Sequence, residues 1–231
     1  MRKEKVIYSN PSIAHDADQG YSIGSTVFNA KSGVEFVCTD SSPGAAKWRT
    51  HNVNSGWPSG TYKWPDYVTG TSDSPAQSDK LVFLPFIFDE ITRIDKIAVH
   101  LVAAQPGGNV LLGLYTSKNG LPLYLQNNFS SLDLSAGPGK KEITVNLLID
   151  QPGLYFLAAL FAPVSPMPTM RRISSARFGV VCGSTGGDIS SNNAGRYYVA
   201  DSPYSSGLPY WAPDVIMGTD VAGAIIGLRK S

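Results

Sequence analysis

The sequence lacks a surplus of charge of either sign and carries little charge in total. Lysine and arginine number 19 against 18 aspartates and glutamates, and charged residues make up 16% of the chain, below the usual fraction of about a quarter. A surface that binds nucleic acid needs an excess of basic residues, and here they are scattered. The composition therefore argues against nucleic acid as a partner.

Long apolar runs are also missing. The two longest cover about 81–88, which contains Pro85, and 215–228, which is interrupted by Asp220 and by glycines. A helix that crosses a bilayer needs about 20 apolar residues, so we expect no insertion into a membrane. The first nine residues lack the apolar core of a signal peptide.

Motifs of catalysis and metal binding are scarce. The chain has three histidines and no nucleophile elbow, phosphate loop, dinucleotide fingerprint or grouped zinc ligands. Aspartates alternate at Asp16 and Asp18, but a further oxygen ligand and the closing glutamate of a calcium loop are absent, which favours an exposed turn. We therefore expect no enzyme, no cofactor and no metal.

The two cysteines, Cys38 and Cys182, each end an apolar run. Buried free thiols explain this position most simply. A disulfide between them would require two separate units of the chain to touch, and the sequence leaves that pairing open.

Helical periodicity is nearly absent, whereas short strand patterns separated by Gly, Pro, Asn and Ser recur. Turn signals such as Gln105-Pro106-Gly107-Gly108 and Asn119-Gly120 stand between them. The pattern predicts an all-β fold with an antiparallel β-sandwich or jelly-roll-like domain. Strands are expected at about 81–88, 93–103, 109–115, 141–149 and 153–161, less distinctly at 176–182, 196–200 and 223–229, and a loop at 71–79.

A compact pattern precedes this domain. The stretch GYSIGSTVFNAKSGVEFVCTDSSPGAAKW, residues 20–48, contains short alternations broken by turns and ends on Trp48. It predicts a small β-meander. We expect a small N-terminal attachment or trimerisation module with its linker in residues 1–56, and a jelly-roll-like β-sandwich head in residues 57–231.

Two pieces of the sequence carry a resemblance to a known family. Residues 21–48 resemble a small β module of bacteriophage tail fibres and spikes, and faintly also small chitin-binding modules. The stretch DKLVFLPFIFDEITRIDKIAVHLVAAQPGGNVLLGLYTSKNGLP, with QPGLYFLAAL and the terminal IIGLRKS, looks like the jelly-roll head of phage receptor-binding proteins. The match is weakest between residues 163 and 220. The resemblance implies a virion protein, made in the host cytoplasm, whose partners are other virion proteins.

The resemblance also implies a homotrimer, and the small size of the meander supports one. Sheets of two or three strands are marginally stable alone. Threefold packing of Phe28, Phe36 and Trp48 would supply the missing burial, which makes these three residues the candidates for assembly.

Aromatic residues are the best candidates for binding. Flat rings with a hydroxyl or an indole N–H can stack on the apolar faces of sugars. Tyr204, Tyr210 and Trp211 lie near prolines in a loop-rich region, with Asp201 and Asn192 available to hydrogen-bond sugar hydroxyls. For Tyr204, Tyr210 and Trp211 binding and packing are equally favoured, whereas for Tyr62 and Trp64 a cap on the sandwich core or a subunit contact is favoured over binding.

Three functions remain in competition. The first is a phage tail-fibre or spike subunit that binds a bacterial surface glycan for host adsorption. The second is a purely structural virion component, such as a decoration, head-fibre or adaptor protein, without glycan binding. The third is a glycan-degrading enzyme, which the small size and the scattered acidic residues disfavour.

Overall fold

The computed structural model describes residues 4–31, 34–50, 57–65, 68–176, 197–218 and 223–231. Strands dominate these residues, and helical structure among them is limited to two short 3₁₀ turns, Ala17–Gln19 and Tyr204–Ser206. The prediction of an all-β fold is confirmed.

A four-stranded sheet forms the N-terminal module. Its strands, in spatial order, are β1 (Glu4–Ile7), β2 (Thr26–Asn29), β3 (Val34–Asp40) and β4 (Lys47–Thr50). Strands β2 to β4 form an antiparallel meander, while β1 adds a parallel strand beside β2 that the sequence pattern did not predict. Residues 51–56 lie outside the described residues, so the domain boundary there stays a prediction.

The module buries its own small core. The Trp48 indole N–H donates to the His15 carbonyl oxygen at 3.0 Å, and the Tyr21 ring meets Trp48 edge-on with 5.2 Å between centroids. Ile91, from the larger part of the chain, also packs there. The expectation that Phe36 and Trp48 need a threefold contact to be buried is wrong, because both are already enclosed within one chain. The buried apolar residues of the module are Tyr21, Val27, Phe36, Cys38, Ala46 and Trp48.

Asp16 ties the first turn of the module to the turn before β4. Its carboxylate accepts hydrogen bonds from the backbone N–H of Gly44 at 2.7 Å and of Asp18 at 3.0 Å. These bonds, chiefly that from Gly44, hold the pKa of Asp16 below its ordinary value. The expected turn is present, but Asp16 is buried at its base rather than exposed.

Cys38 is buried, as expected, with no disulfide partner among the described residues, and its Sγ donates to the Asp40 carbonyl oxygen at 3.3 Å. Burial raises the pKa of this thiol. Cys182 lies outside the described residues, so the question of a pair with Cys38 stays open.

The module is joined to the larger part of the chain through β4. The backbone N–H of Ile91 donates to the Trp48 carbonyl at 3.1 Å, and that of Thr50 donates to the Asp89 carbonyl at 3.1 Å. These bonds extend the pairing of β4 onto the residues between two strands of the sandwich. They fix the module against the sandwich at this edge.

Two six-stranded sheets form the larger part of the chain, with one apolar core drawn from both. The strands are β5 (Tyr62–Lys63), β6 (Val68–Pro75), β7 (Lys80–Phe88), β8 (Thr92–Ala103), β9 (Asn109–Lys118), β10 (Leu121–Asp133), β11 (Gly139–Ile149), β12 (Gly153–Phe161), β13 (Thr169–Ala176), β14 (Tyr197–Asp201), β15 (Ile216–Gly218) and β16 (Ile226–Lys230). The first sheet has the order β10-β9-β12-β7-β14-β15, and the second β5-β16-β8-β13-β6 with β11 on the other edge of β8.

The centre of the first sheet is buried on both faces. Every residue of β12 from Tyr155 onward is buried, which explains its unbroken apolar run. Pro85 lies within β7. The described part of β14 pairs with β7 as far as Phe83, and Pro85 lies two residues beyond that point. The missing N–H of Pro85 therefore costs no ladder bond to the described part of β14.

Several strands depart from the sequence predictions, among them the short β5 and β15, which were not predicted. Residues 71–79 were expected to be a loop, but β6 covers most of this stretch as an edge strand beside β13. An edge strand with one partner tolerates the polar residues that made it look like a loop. Strand β10 was not predicted at all, and β13 ends at Ala176, so most of the strand expected at 176–182 lies outside the described residues.

Candidate functional site

Three of the four predicted binding residues in the described part follow β14, in a segment that runs along β9 and β10, and the fourth, Asp201, ends β14. We call residues 202–213 the recognition segment. Tyr204 lies in its 3₁₀ turn, and Tyr210 and Trp211 lie near its end. Asn192 lies outside the described residues, so its predicted role has no structural counterpart here.

Packing against β9 holds the recognition segment in place. The Tyr115 hydroxyl donates to the Pro209 carbonyl oxygen at 2.6 Å. Leu208 occupies the space that a side chain at Gly113 would need, since a Cβ there would lie 2.6 Å from Leu208 Cδ1. Leu208 is itself buried in the sandwich core. A glycine on β9 thus creates the socket that receives the segment.

Backbone pairing with β10 fixes the end of the segment. The N–H of Leu125 donates to the Tyr210 carbonyl, and the N–H of Ala212 donates to the Leu123 carbonyl, both at 2.8 Å. Tyr124 and Trp211 face each other in an antiparallel bridge. Residues 210–212 therefore behave as a short added strand at the edge of the first sheet.

This pairing brings three aromatic rings together, which we call the aromatic cluster: Tyr124, Tyr210 and Trp211. The Tyr124 and Tyr210 rings are stacked, with centroids 6.0 Å apart and planes 22° apart. The Trp211 ring stands nearly perpendicular to both, 6.1 Å from Tyr124 and 5.2 Å from Tyr210. Tyr210 and Trp211 are each 61% exposed. The possibility that these two residues pack in the core is excluded by their exposure.

Tyr204 and Asp201 lie outside the aromatic cluster. Tyr204 packs partly against the core, and its backbone N–H donates to Asp79 Oδ1 at 2.8 Å, which anchors the start of the recognition segment. Asp201 closes β14 and forms a salt bridge with Lys80, its register partner on β7, while its side chain stays exposed. A role of either residue in binding a sugar stays a prediction.

Tyr124 was missed by the sequence reasoning. It lies on β10, a strand that was not predicted, and its place in the cluster depends on pairing with a segment far along the chain. The one local signal was the run that follows Asn119-Gly120, where Leu121, Leu123 and Leu125 alternate with other residues.

Tyr62 and Trp64 do not cap the core. Trp64 is 56% exposed, and Tyr62 lies on the outer face of the second sheet beside Lys140 and Glu142. The alternative that these two rings cap the sandwich core is wrong, and the alternative of a subunit contact stays a prediction. Because the rings lie on an outer face, another subunit or a ligand can contact them.

The small module carries one apolar pair on its surface. Val6 of β1 and Phe28 of β2 are register partners, and they are 60% and 42% exposed. Of the three predicted assembly residues, Phe28 is the one whose ring another chain can reach.

The described residues hold no group of three or more His, Cys, Asp or Glu side chains placed to bind a metal ion. The same residues include no helix long and apolar enough to cross a membrane. No protein-family model matches the chain, and no curated protein matches it. The geometry of the described side chains, together with the sequence, therefore carries the functional inference.

Proposed function

We propose that this chain is a virion protein of the tail-fibre or spike type that binds a bacterial surface glycan through Tyr124, Tyr210 and Trp211. One observation carries the proposal: three neighbouring rings, two of them largely exposed, meet where the recognition segment pairs with β10. Exposure of apolar ring surface to water is unfavourable, and these rings add nothing to a core in return. Such a group of exposed rings favours a role in binding.

The chemistry of the aromatic cluster suits a sugar. The apolar C–H face of a pyranose can lie on an indole or phenol ring, while hydroxyl and indole N–H groups at the ring edges hydrogen-bond sugar hydroxyls. Tyr124, Tyr210 and Trp211 offer two ring orientations nearly at right angles. A bent or branched saccharide could therefore contact both orientations at once.

Rigidity of the segment favours affinity. The Tyr115–Pro209 hydrogen bond and the backbone pairing with β10 order the rings before any ligand arrives. Little conformational entropy is then lost on binding, and preorganised sites bind more tightly for the same contacts.

Assembly belongs to the same proposal. We propose a homotrimer that joins other virion proteins through the small module, acts on the virion after synthesis in the host cytoplasm, and binds without catalysis or a cofactor. Three linked copies would convert weak binding by one head into strong adsorption to a cell surface.

A glycan array tests the proposal. Purified chain should give defined signals on bacterial surface glycans, and the double variant Tyr210→Ala with Trp211→Ala should lose them. Tyr8→Ala is the matched control, because Tyr8 is exposed in the small module, apart from the recognition segment. Wild-type protein that gives no signal, or a double variant that keeps the full signal, would contradict glycan binding by the cluster.

One observation favours the second candidate, a structural adaptor without glycan binding. The exposed Val6–Phe28 pair offers an apolar surface suited to another subunit. An adaptor would give an empty glycan array yet bind a virion partner. Loss of that binding in Phe28→Asp, together with an empty array, would make the adaptor the better account.

A further inference from the structure

A groove of about 640 Å³ lies on the outer face of the second sheet. Its floor is formed by Ala98 of β8 and Gly227 of β16, which are register partners. Their neighbours Val99 and Ile226 point into the core, so Ala98 and Gly227 face outward. Because both floor residues are small, the space between the larger side chains around them stays open.

Aromatic residues form one wall of the groove. Trp64 is largely exposed there, and Tyr62 stands beside it. The Tyr62 hydroxyl donates to Glu142 Oε2 at 2.5 Å, and the Lys140 ammonium lies 4.4 Å from the centroid of the Tyr62 ring. These contacts fix the orientation of Tyr62 and leave the Trp64 face available to a ligand.

Two cationic residues, Lys140 and Arg171, also border the groove. His100, Gly70, Thr71 and Ile225 complete this part of the lining. Lys140 contacts Glu142 at 2.8 Å, and Arg171 contacts Asp73 through Nε at 2.5 Å. The contact with Asp73 uses only Nε of Arg171, so within the described part of the chain both Nη groups remain available as donors. A guanidinium presents such donors in the geometry that suits a carboxylate.

We propose that this groove binds an acidic sugar, a pyranose that carries a carboxylate. Its apolar ring face would lie on Trp64, while the carboxylate would accept from Arg171 and Lys140. Both kinds of lining residue favour this class of ligand, because an aromatic face suits the sugar ring and basic side chains beside it complement a negative charge. A neutral sugar would offer these two cations no negative charge.

This inference is independent of the proposed function. The aromatic cluster lies at the β10 edge of the first sheet, whereas the groove lies on the second sheet, and the two share no residue. Either site can fail while the other stands. The groove would let one head distinguish charged from uncharged glycans.

Calorimetric titration with tetragalacturonic acid tests the groove, with the fully methyl-esterified tetramer as the uncharged match. The wild-type chain should bind the acid at least tenfold more tightly than the ester. Trp64→Ala and Arg171→Gln should each weaken binding of the acid at least tenfold. Lys118→Gln, which removes an exposed cation at the end of β9, should bind like wild type. Added salt should weaken binding of the acid more than binding of the ester.

Four results would overturn the inference, the last of them in Trp211→Ala. The first is no binding of the acid at millimolar concentration, and the second is equal affinity for acid and ester. The third is unchanged affinity in Trp64→Ala and Arg171→Gln with unchanged melting temperatures. Trp211→Ala should keep its affinity for the acid. If that variant alone loses it, acidic sugars bind at the aromatic cluster, and the groove inference fails while glycan binding stands.

Discussion

The Tyr115 hydroxyl donates a 2.6 Å hydrogen bond to the carbonyl oxygen of Pro209, which joins the buried strand β9 to the segment that presents Tyr210 and Trp211. Tyr115 is fully buried, and burial raises the pKa of its hydroxyl above the ordinary value. The group therefore stays a proton donor across the whole physiological pH range. A core residue thus positions a surface segment.

Tyr115→Phe should lower the free energy of unfolding by about 1–2 kcal/mol, because it removes this bond and leaves the Pro209 carbonyl without its partner. Chemical denaturation measures the change. Tyr8→Phe, which removes an exposed hydroxyl, should leave stability within about 0.5 kcal/mol of wild type. Equal stability of the two variants would show that the bond does not anchor the segment.

Gly113→Ala should destabilise the fold by about 1–3 kcal/mol, since the new Cβ would lie 2.6 Å from Leu208 Cδ1 and 3.0 Å from Leu125 Cδ1. Leu208→Ala should also destabilise, because it empties a buried site. The double variant should cost less than the sum of the two single costs, and a double-mutant cycle measures the difference. Strict additivity would contradict the socket formed by Gly113.

The turn after β9 shows how much local sequence can predict. Asn119 and Gly120 both have positive φ, 53° and 78°, and they link β9 to β10 in a two-residue loop. The dipeptide predicted the turn because these residues tolerate that backbone. The strand after it was missed because β10 shifts register three times against β9, which breaks the alternation that marks a strand.

The side chains of the small module show a second limit. Val27 pairs with Phe36 and Phe28 pairs with Glu35, so adjacent residues of β2 face opposite ways. Strict alternation could have indicated that Val27, rather than Phe28, shares the inner face with Phe36. Which face turns inward depends on packing against Trp48 and Ile91, and Ile91 belongs to a distant part of the chain.

The aromatic cluster was predicted only in part for the same reason. Tyr210 and Trp211 stand among prolines, a local signal of an ordered loop. Their neighbour Tyr124 reaches them through a bridge between residues far apart in sequence. Local patterns carry no information about such a partner.

Stability should fall in acid partly through Glu142. Hydrogen bonds from Lys140, then Lys96 and Tyr62, lower the pKa of Glu142 to about 2 from the model-peptide value of 4.5. The carboxylate therefore stays ionised to a lower pH in the folded state than in the unfolded state. Its contribution to the stability of the fold is complete above about pH 5 and is lost as the pH falls toward 2. Melting temperature measured against pH should fall less steeply over this range in Glu142→Gln. Parallel curves for the two proteins would contradict the role of this carboxylate.

Phe28→Asp should break the proposed homotrimer and leave the fold intact, because Phe28 is exposed beside Val6. Light scattering should report a trimer for wild type and a monomer for the variant, with equal melting temperatures. Phe36→Ala is the contrasting change, since Phe36 is buried in the module core and its loss should cost about 3–5 kcal/mol. A wild-type chain that is monomeric at micromolar concentration would contradict the assembly.

The most direct measurement is the dissociation constant of the strongest array glycan for wild type and for Trp211→Ala, taken with their melting temperatures. Trp211 is exposed, so its replacement should leave the melting temperature unchanged. Loss of a stacked ring at a binding hot spot typically costs about 2 kcal/mol or more, so the dissociation constant should rise more than tenfold. A lower melting temperature with an unchanged dissociation constant would show that Trp211 stabilises the fold rather than binds a sugar.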